Sequence, residues 1–120
     1  MTRRPQPPAH LDDAARAKWG ELVGSLQDQE QGTLDALAAY CSAWSRWTAA
    51  ESKVAELGTV VKSPQGFPVA NPYAAIAAQA QRQMRQWAGE LRLTPAARAK
   101  GQRKQAKTAL QILTSKGRTG

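Results

Sequence analysis

Four cations lie close together late in the chain: Lys100, Arg103, Lys104 and Lys107. At about 100° per residue on a helix they fall within an arc of roughly 100°. Such a strip offers ammonium and guanidinium groups to phosphates, which gives affinity without sequence information. Arg98 stands just before the strip, and Arg82 and Arg85 lie opposite an earlier apolar stripe; these complete the candidate DNA-binding set. Residues 1–90 hold nine basic and nine acidic side chains, whereas residues 91–120 hold eight basic and no acidic ones. The whole formal net charge of +8 therefore sits in the last quarter, the pattern of a basic tail on a folded body. A polyanion is the expected partner, either nucleic acid or an acidic membrane surface. The membrane fits less well, because the apolar side of this segment is mostly alanine and lacks aromatic anchors.

Other residue types suggest no reaction. His10 is the only histidine and sits in a proline-rich arm, and Cys41 is the only cysteine. No metal site, cofactor or intrachain disulfide is expected from that supply. Cys41 lies on an apolar helical face and reads as a core residue rather than a nucleophile. A glycine-rich phosphate loop is absent. Glu51 with Glu56, and Asp12 with Asp13, read as surface and capping charges rather than an acid–base pair. Trp19, Trp44, Trp47 and Trp87 fall at helical spacing among apolar neighbours, which favours packing over base stacking. No catalytic residue is expected.

The elements that would hold these residues are helices. Residues 1–10 read as a disordered arm. Asp12 can cap a first helix with Ala15, Trp19, Leu22, Val23 and Leu26 on one face. A second helix is expected over about Thr33–Leu57, although Asp28 and Gln31 offer an earlier start. Its apolar residues, from Leu34 through Cys41 and Trp44 with Tyr40, Trp47 and Val54 at the side, span roughly 200° of arc. A surface helix usually needs a stripe only somewhat wider than about 100°. The surplus, Tyr40, Trp44, Trp47 and Val54, is the expected oligomer interface. Gly58 ends the helix, and residues 59–69 read as a β-hairpin with Ser63–Gly66 as its turn and Pro68 on an edge. Asn71-Pro72 starts a third helix, with Tyr73, Ile76, Ala77, Ala80, Met84, Trp87, Ala88 and Leu91 on one stripe, and Thr94-Pro95 starts a fourth. The fourth runs to about Ser115, with Gly101 costing about 1 kcal/mol inside it. Its Ala99, Ala106, Ala109, Leu110 and Leu113 form a face beside the cations, expected to dock on protein.

The fold class expected is all-α: a bundle of three to four helices with a small hairpin between the second and third. The body covers residues 11–93, and residues 94–120 form a basic helix and tail. No run of residues is apolar enough to span a membrane, and the N-terminus does not read as a secretory signal.

One ordered set of motifs resembles a known family. Gly58-Thr-Val-Val-Lys, Pro64-Gln-Gly66-Phe-Pro-Val-Ala-Asn71-Pro72 and Leu93-Thr94-Pro95-Ala-Ala-Arg98 are similar to the signature of a small terminase subunit family of tailed double-stranded DNA phages. Leu11-Asp-Asp-Ala-Ala-Arg16-Ala-Lys-Trp19 and Leu37-Ala-Ala-Tyr40-Cys41 resemble that family's first two helices. The chain departs from the pattern at Ala96 and Ala97, where serine is frequent, and at Glu30-Gln-Gly-Thr33, where a Thr-x-x-Asp start is usual. The resemblance implies a non-enzymatic, ring-forming homo-oligomer in the host cytoplasm. It would bind double-stranded viral DNA, deliver it to the large terminase subunit with its ATPase and nuclease, and modulate those activities. Two alternatives stay open on the residues: a basic DNA- or RNA-binding regulator, and a protein-only assembly adaptor.

Overall fold

A computed structural model describes residues 4–117. The chain forms α1 (Asp13–Leu22), a 3-10 turn (Val23–Ser25), α2 (Gln31–Leu57), β1 (Val60–Lys62), β2 (Pro68–Ala70), α3 (Pro72–Glu90) and α4 (Pro95–Gly117). This is the expected helical architecture, with a two-stranded antiparallel hairpin between α2 and α3. Met1–Arg3, at the tip of the expected arm, lie outside the described residues.

Local chemistry sets the helix ends. The Asp12 carboxylate accepts from the Ala15 N–H at 2.9 Å and caps α1, leaving one fewer free donor in the first turn. Ser45 of α2 also donates its hydroxyl to Asp12, 2.6 Å from Oδ2, so the cap ties α1 to the middle of α2. α1 ends at Leu22, earlier than expected, because the chain tightens into the 3-10 turn and Leu26 is extended. Leu26 packs against the core from outside the helix. α2 begins two residues before Thr33, and its N-cap position, Glu30, makes no side-chain cap. Asp28 instead holds the preceding turn, accepting from the Glu30 N–H at 3.0 Å.

Gly58 ends α2 at φ 85, a conformation open to glycine without a Cβ penalty. Asn71 then does two jobs. Its carbonyl oxygen accepts from the Tyr73 N–H at 3.0 Å, and its amide donates to the Gly58 carbonyl at 2.7 Å. The end of α2 and the start of α3 are thereby joined across the base of the hairpin. The hairpin register pairs Val60 with Ala70, Val61 with Val69 and Lys62 with Pro68. Gly66 turns it at φ 87.

α2 and α3 run antiparallel, since Gly58 meets Asn71 at one end and Leu37 shares a core with Leu91 at the other. Ala43 and Ala50 of α2 and Ala77, Ala80 and Ala88 of α3 are buried, so small side chains fill the seam. Tyr73 and Ile76, expected on the same stripe, remain substantially exposed. The core proper sits between α1 and the first half of α2, with Leu11, Ala15, Trp19, Val23, Leu37, Ala38 and Cys41 closed off by Leu91. The Trp19 Nε1–H donates to the Pro5 carbonyl at 3.0 Å, which ties part of the segment expected to be a disordered arm to α1.

α1 therefore covers one side of α2 and α3 another. Two elements of the same chain thus pack on the broad apolar face of α2, and Tyr40, Trp44, Trp47 and Val54 on it stay half-buried. The molecule is elongated, 79 × 36 × 19 Å, with a radius of gyration of 20.4 Å; a compact chain of this length has about 14 Å. The length comes from α4, which leaves the body and is exposed from Gln102 to Thr114.

Candidate nucleic-acid interface

α4 opens on Thr94, whose hydroxyl oxygen accepts from the Ala97 N–H at 3.1 Å, with Pro95 in the first helical position, where its missing N–H costs nothing. At 1.5 Å per residue the helix reaches about 35 Å. Lys100, Arg103, Lys104 and Lys107 line one shallow surface with Ala106 and Leu110. The structure thus brings together the four cations that their spacing had grouped. All four are exposed. Among the described residues the ion pairs are Lys18–Glu21 at 2.8 Å and Lys53–Glu56 at 3.5 Å, so none of the four faces a carboxylate partner.

The other cations are placed apart. Arg98 lies on the far side of α4 from Lys100 by helical geometry, and its guanidinium donates to the Leu93 carbonyl at 3.3 Å. Arg82 and Arg85 are exposed on α3 and border a groove of about 540 Å³ between α2 and α3, lined also by Tyr40, Trp47, Gln81 and Met84. That groove shares no residue with the α4 surface.

The residues expected at a subunit contact are half-buried within the chain. Trp47 and Tyr40 wall the groove, and the Trp47 Nε1–H is buried with no hydrogen-bond partner among the described residues. Trp44 lies under Lys18, whose Nζ stands 4.4 Å from the ring centroid, a cation–π contact. The α4 face expected to dock on protein has no cover among the described residues, since Leu110 and Leu113 are 64% and 67% exposed.

No described grouping prepares a nucleophile. Cys41 is fully buried, and burial pushes its thiol up to about 12, so it stays protonated. Hydrogen bonds from Ser45, and then from the Ala15 N–H, hold the Asp12 carboxyl below its usual range; that carboxylate is a helix cap. Among the described residues no three His, Cys, Asp or Glu side chains gather where a metal ion would bind. No helix among the described residues is long and apolar enough to cross a membrane.

Sequence reasoning missed Arg92. It was counted among the basic residues but given no place, yet it stands at the joint between body and α4, with its guanidinium against Gly101. The signal was Gly101 itself, a helix-interior glycine in a segment otherwise rich in helix formers.

Fold and surface together define a mostly helical protein with a projecting cationic arm. A family described as phage terminase, small subunit, matches residues 15–108, and the chain belongs to that family. No curated protein and no solved structure matches it.

Proposed function

We propose that this protein binds double-stranded viral DNA through the α4 cations and delivers it to a large terminase subunit for genome packaging, without catalysing a reaction itself. The observation that carries this reading is the exposed strip of Lys100, Arg103, Lys104 and Lys107, unpaired among the described residues, on a helix standing clear of a charge-balanced body. Unpaired cations on a convex helix suit the phosphate backbone, which is recognised by charge rather than by base edges.

Self-assembly into a cyclic homo-oligomer in the host cytoplasm is part of the proposal. Its support shifts from the α2 face to apolar side chains that the chain leaves uncovered. Leu57, Val60, Phe67, Val69, Tyr73 and Ile76 are exposed around the hairpin. A two-stranded hairpin is marginally stable alone in water, so a covering neighbour would gain both area and order. A second copy of the chain supplies that cover in a ring.

Titration with duplex DNA at several salt concentrations tests the reading, with light scattering to give the mass. Affinity should fall steeply as salt rises, and the mass should be several times that of one chain. Salt-independent or absent binding would refute the DNA role and favour a protein-only adaptor, and a monomer or dimer on a short operator would favour a regulator.

A further inference from the structure

Two residues at the joint between α3 and α4 are each the locally disfavoured choice. Arg92 has φ 56, the only positive φ of a non-glycine side chain among the described residues. α3 ends with the Leu93 N–H donating to the Ala88 carbonyl at 2.9 Å and the Arg92 N–H donating to the Gly89 carbonyl at 3.2 Å. That pair of bonds closes a helix on a left-handed residue, where glycine is the usual occupant. Gly101 is the reverse case, a glycine inside α4 where alanine is the better helix former.

The two departures meet. A Cβ at position 101 would stand 2.6 Å from Cζ and Nε of Arg92 and 2.8 Å from its Nη1, so the guanidinium rests on bare helix backbone. Its Nη1 also donates to Gln27 Oε1 at 3.0 Å, in the α1–α2 connection. Leu91 is buried in the core and Leu93 packs against it, so the base of the Arg92 side chain is fixed on both sides.

We propose that Arg92 and Gly101 form a positioning pair that sets the direction of α4 relative to the body. Without it α4 hangs from the short Leu91–Thr94 turn and sweeps freely. With it a planar, multiply donating group bridges body and helix, and the absent side chain at 101 lets that group lie flat. The consequence for DNA rests on the reading above: cations presented in a preset direction lose less freedom on binding.

Distances between spin labels test the pair. Labels go on cysteines introduced at exposed Gln79 of α3 and Gln111 of α4, in full-length chain diluted with unlabelled chain; Cys41 is buried and does not react. The parent should give one narrow distribution. Gly101→Ala should keep or raise the helical circular dichroism, because the flexible Arg92 side chain can swing aside, yet broaden the distribution. Arg92→Gly, which relieves the backbone, should broaden it as well. The double variant should be no broader than either single one, because one device is lost only once. Unchanged widths in both single variants, or broadening that accumulates in the double variant, would overturn the proposal. Gly101→Ala keeps every cation, so its DNA affinity should drop several-fold at an unchanged salt slope. Broadened distances with undiminished affinity would count against DNA binding by α4 and leave the positioning pair standing.

Discussion

Changing Arg103, Lys104 and Lys107 together to alanine isolates the charge of α4 from its fold. All three are exposed and make no ion pair with a described residue, and alanine is the best helix former, so the helix should persist. Each phosphate contact contributes about 0.9 to the slope of log affinity against log salt, so losing three flattens it by about 2.7 per engaged subunit. Between about 50 and 200 mM salt the parent should then lose roughly 40-fold more affinity than the variant. Fluorescence anisotropy with a labelled duplex reads both slopes, and circular dichroism and light scattering confirm that helicity and mass are unchanged. Sequence preference should move less than affinity, because base contacts specify and phosphate contacts do not. Parental affinity with a parental slope would refute the reasoning and transfer the contact to Arg82 and Arg85 beside the α2–α3 groove.

Asp12→Ala removes the α1 cap and leaves the buried Ser45 hydroxyl without its acceptor, a loss of about 2 kcal/mol in chemical denaturation. The lowered Asp12 pKa makes the charge-dependent part of that stabilisation present above about pH 4, the unfolded value, and lost as pH falls through the folded value, so the gap between Asp12→Asn and the parent should narrow on acidification. Gly66→Val forces a β-branched residue to φ 87 and should loosen the hairpin; hydrogen exchange at Ser63 and Asn71, which bond Phe67 and Thr59 across it, should quicken, and unchanged exchange would contradict the turn assignment. Trp47→Ala should lower the melting temperature by the same amount at every protein concentration, because Trp47 packs inside its own chain; a deficit that depends on concentration would place it at a subunit contact instead.

Much of the fold was legible because helix ends are written in local chemistry. Asp12, Asn71-Pro72 and Thr94-Pro95 each solve the free N–H problem where they stand, and Gly58 supplies its φ of 85 without help from the rest of the fold. What the residues alone left undecided is who covers a face. Periodicity measured the apolar arc of α2, but an arc has no label for its partner: α1 and α3 of the same chain pack on that helix, and Tyr40, Trp44, Trp47 and Val54 stay half-buried beside them. On α3 the large side chains Tyr73 and Ile76 shared a stripe with the alanines, yet the alanines went inside, because close approach of two helices favours small residues at the seam. Arg92 was only half legible for a related reason. The glycine at 101 marked a gap in α4, but the guanidinium that fills it is also held by Gln27, 65 residues away, whereas Gly89 stood nearby as the conventional residue for a helix end. The candidate site was legible as an arc of four cations, because that arc depends only on helix geometry. The separation of Arg82 and Arg85 from it depends on how α3 and α4 are joined.

The segregation of charge has a physical consequence for any assembly of this chain. Eight basic and no acidic residues lie in the last thirty positions, and the first ninety are balanced. Were the same excess spread over the body, every subunit contact would bring like charges together in a partly desolvated setting, where repulsion is strongest. On a helix about 35 Å long, Arg103, Lys104 and Lys107 stand about 12 Å or more along the axis from its start, beyond the Debye length of about 8 Å at physiological salt. Neutral bodies can then approach one another while the cations remain available to a polyanion. The arrangement carries a cost, since a freely swinging charged arm would lose much of its orientational freedom on binding. A guanidinium seated on bare backbone at the root of α4 limits that freedom beforehand, which accounts for keeping an arginine at a glycine's φ and a glycine at an alanine's place in the helix.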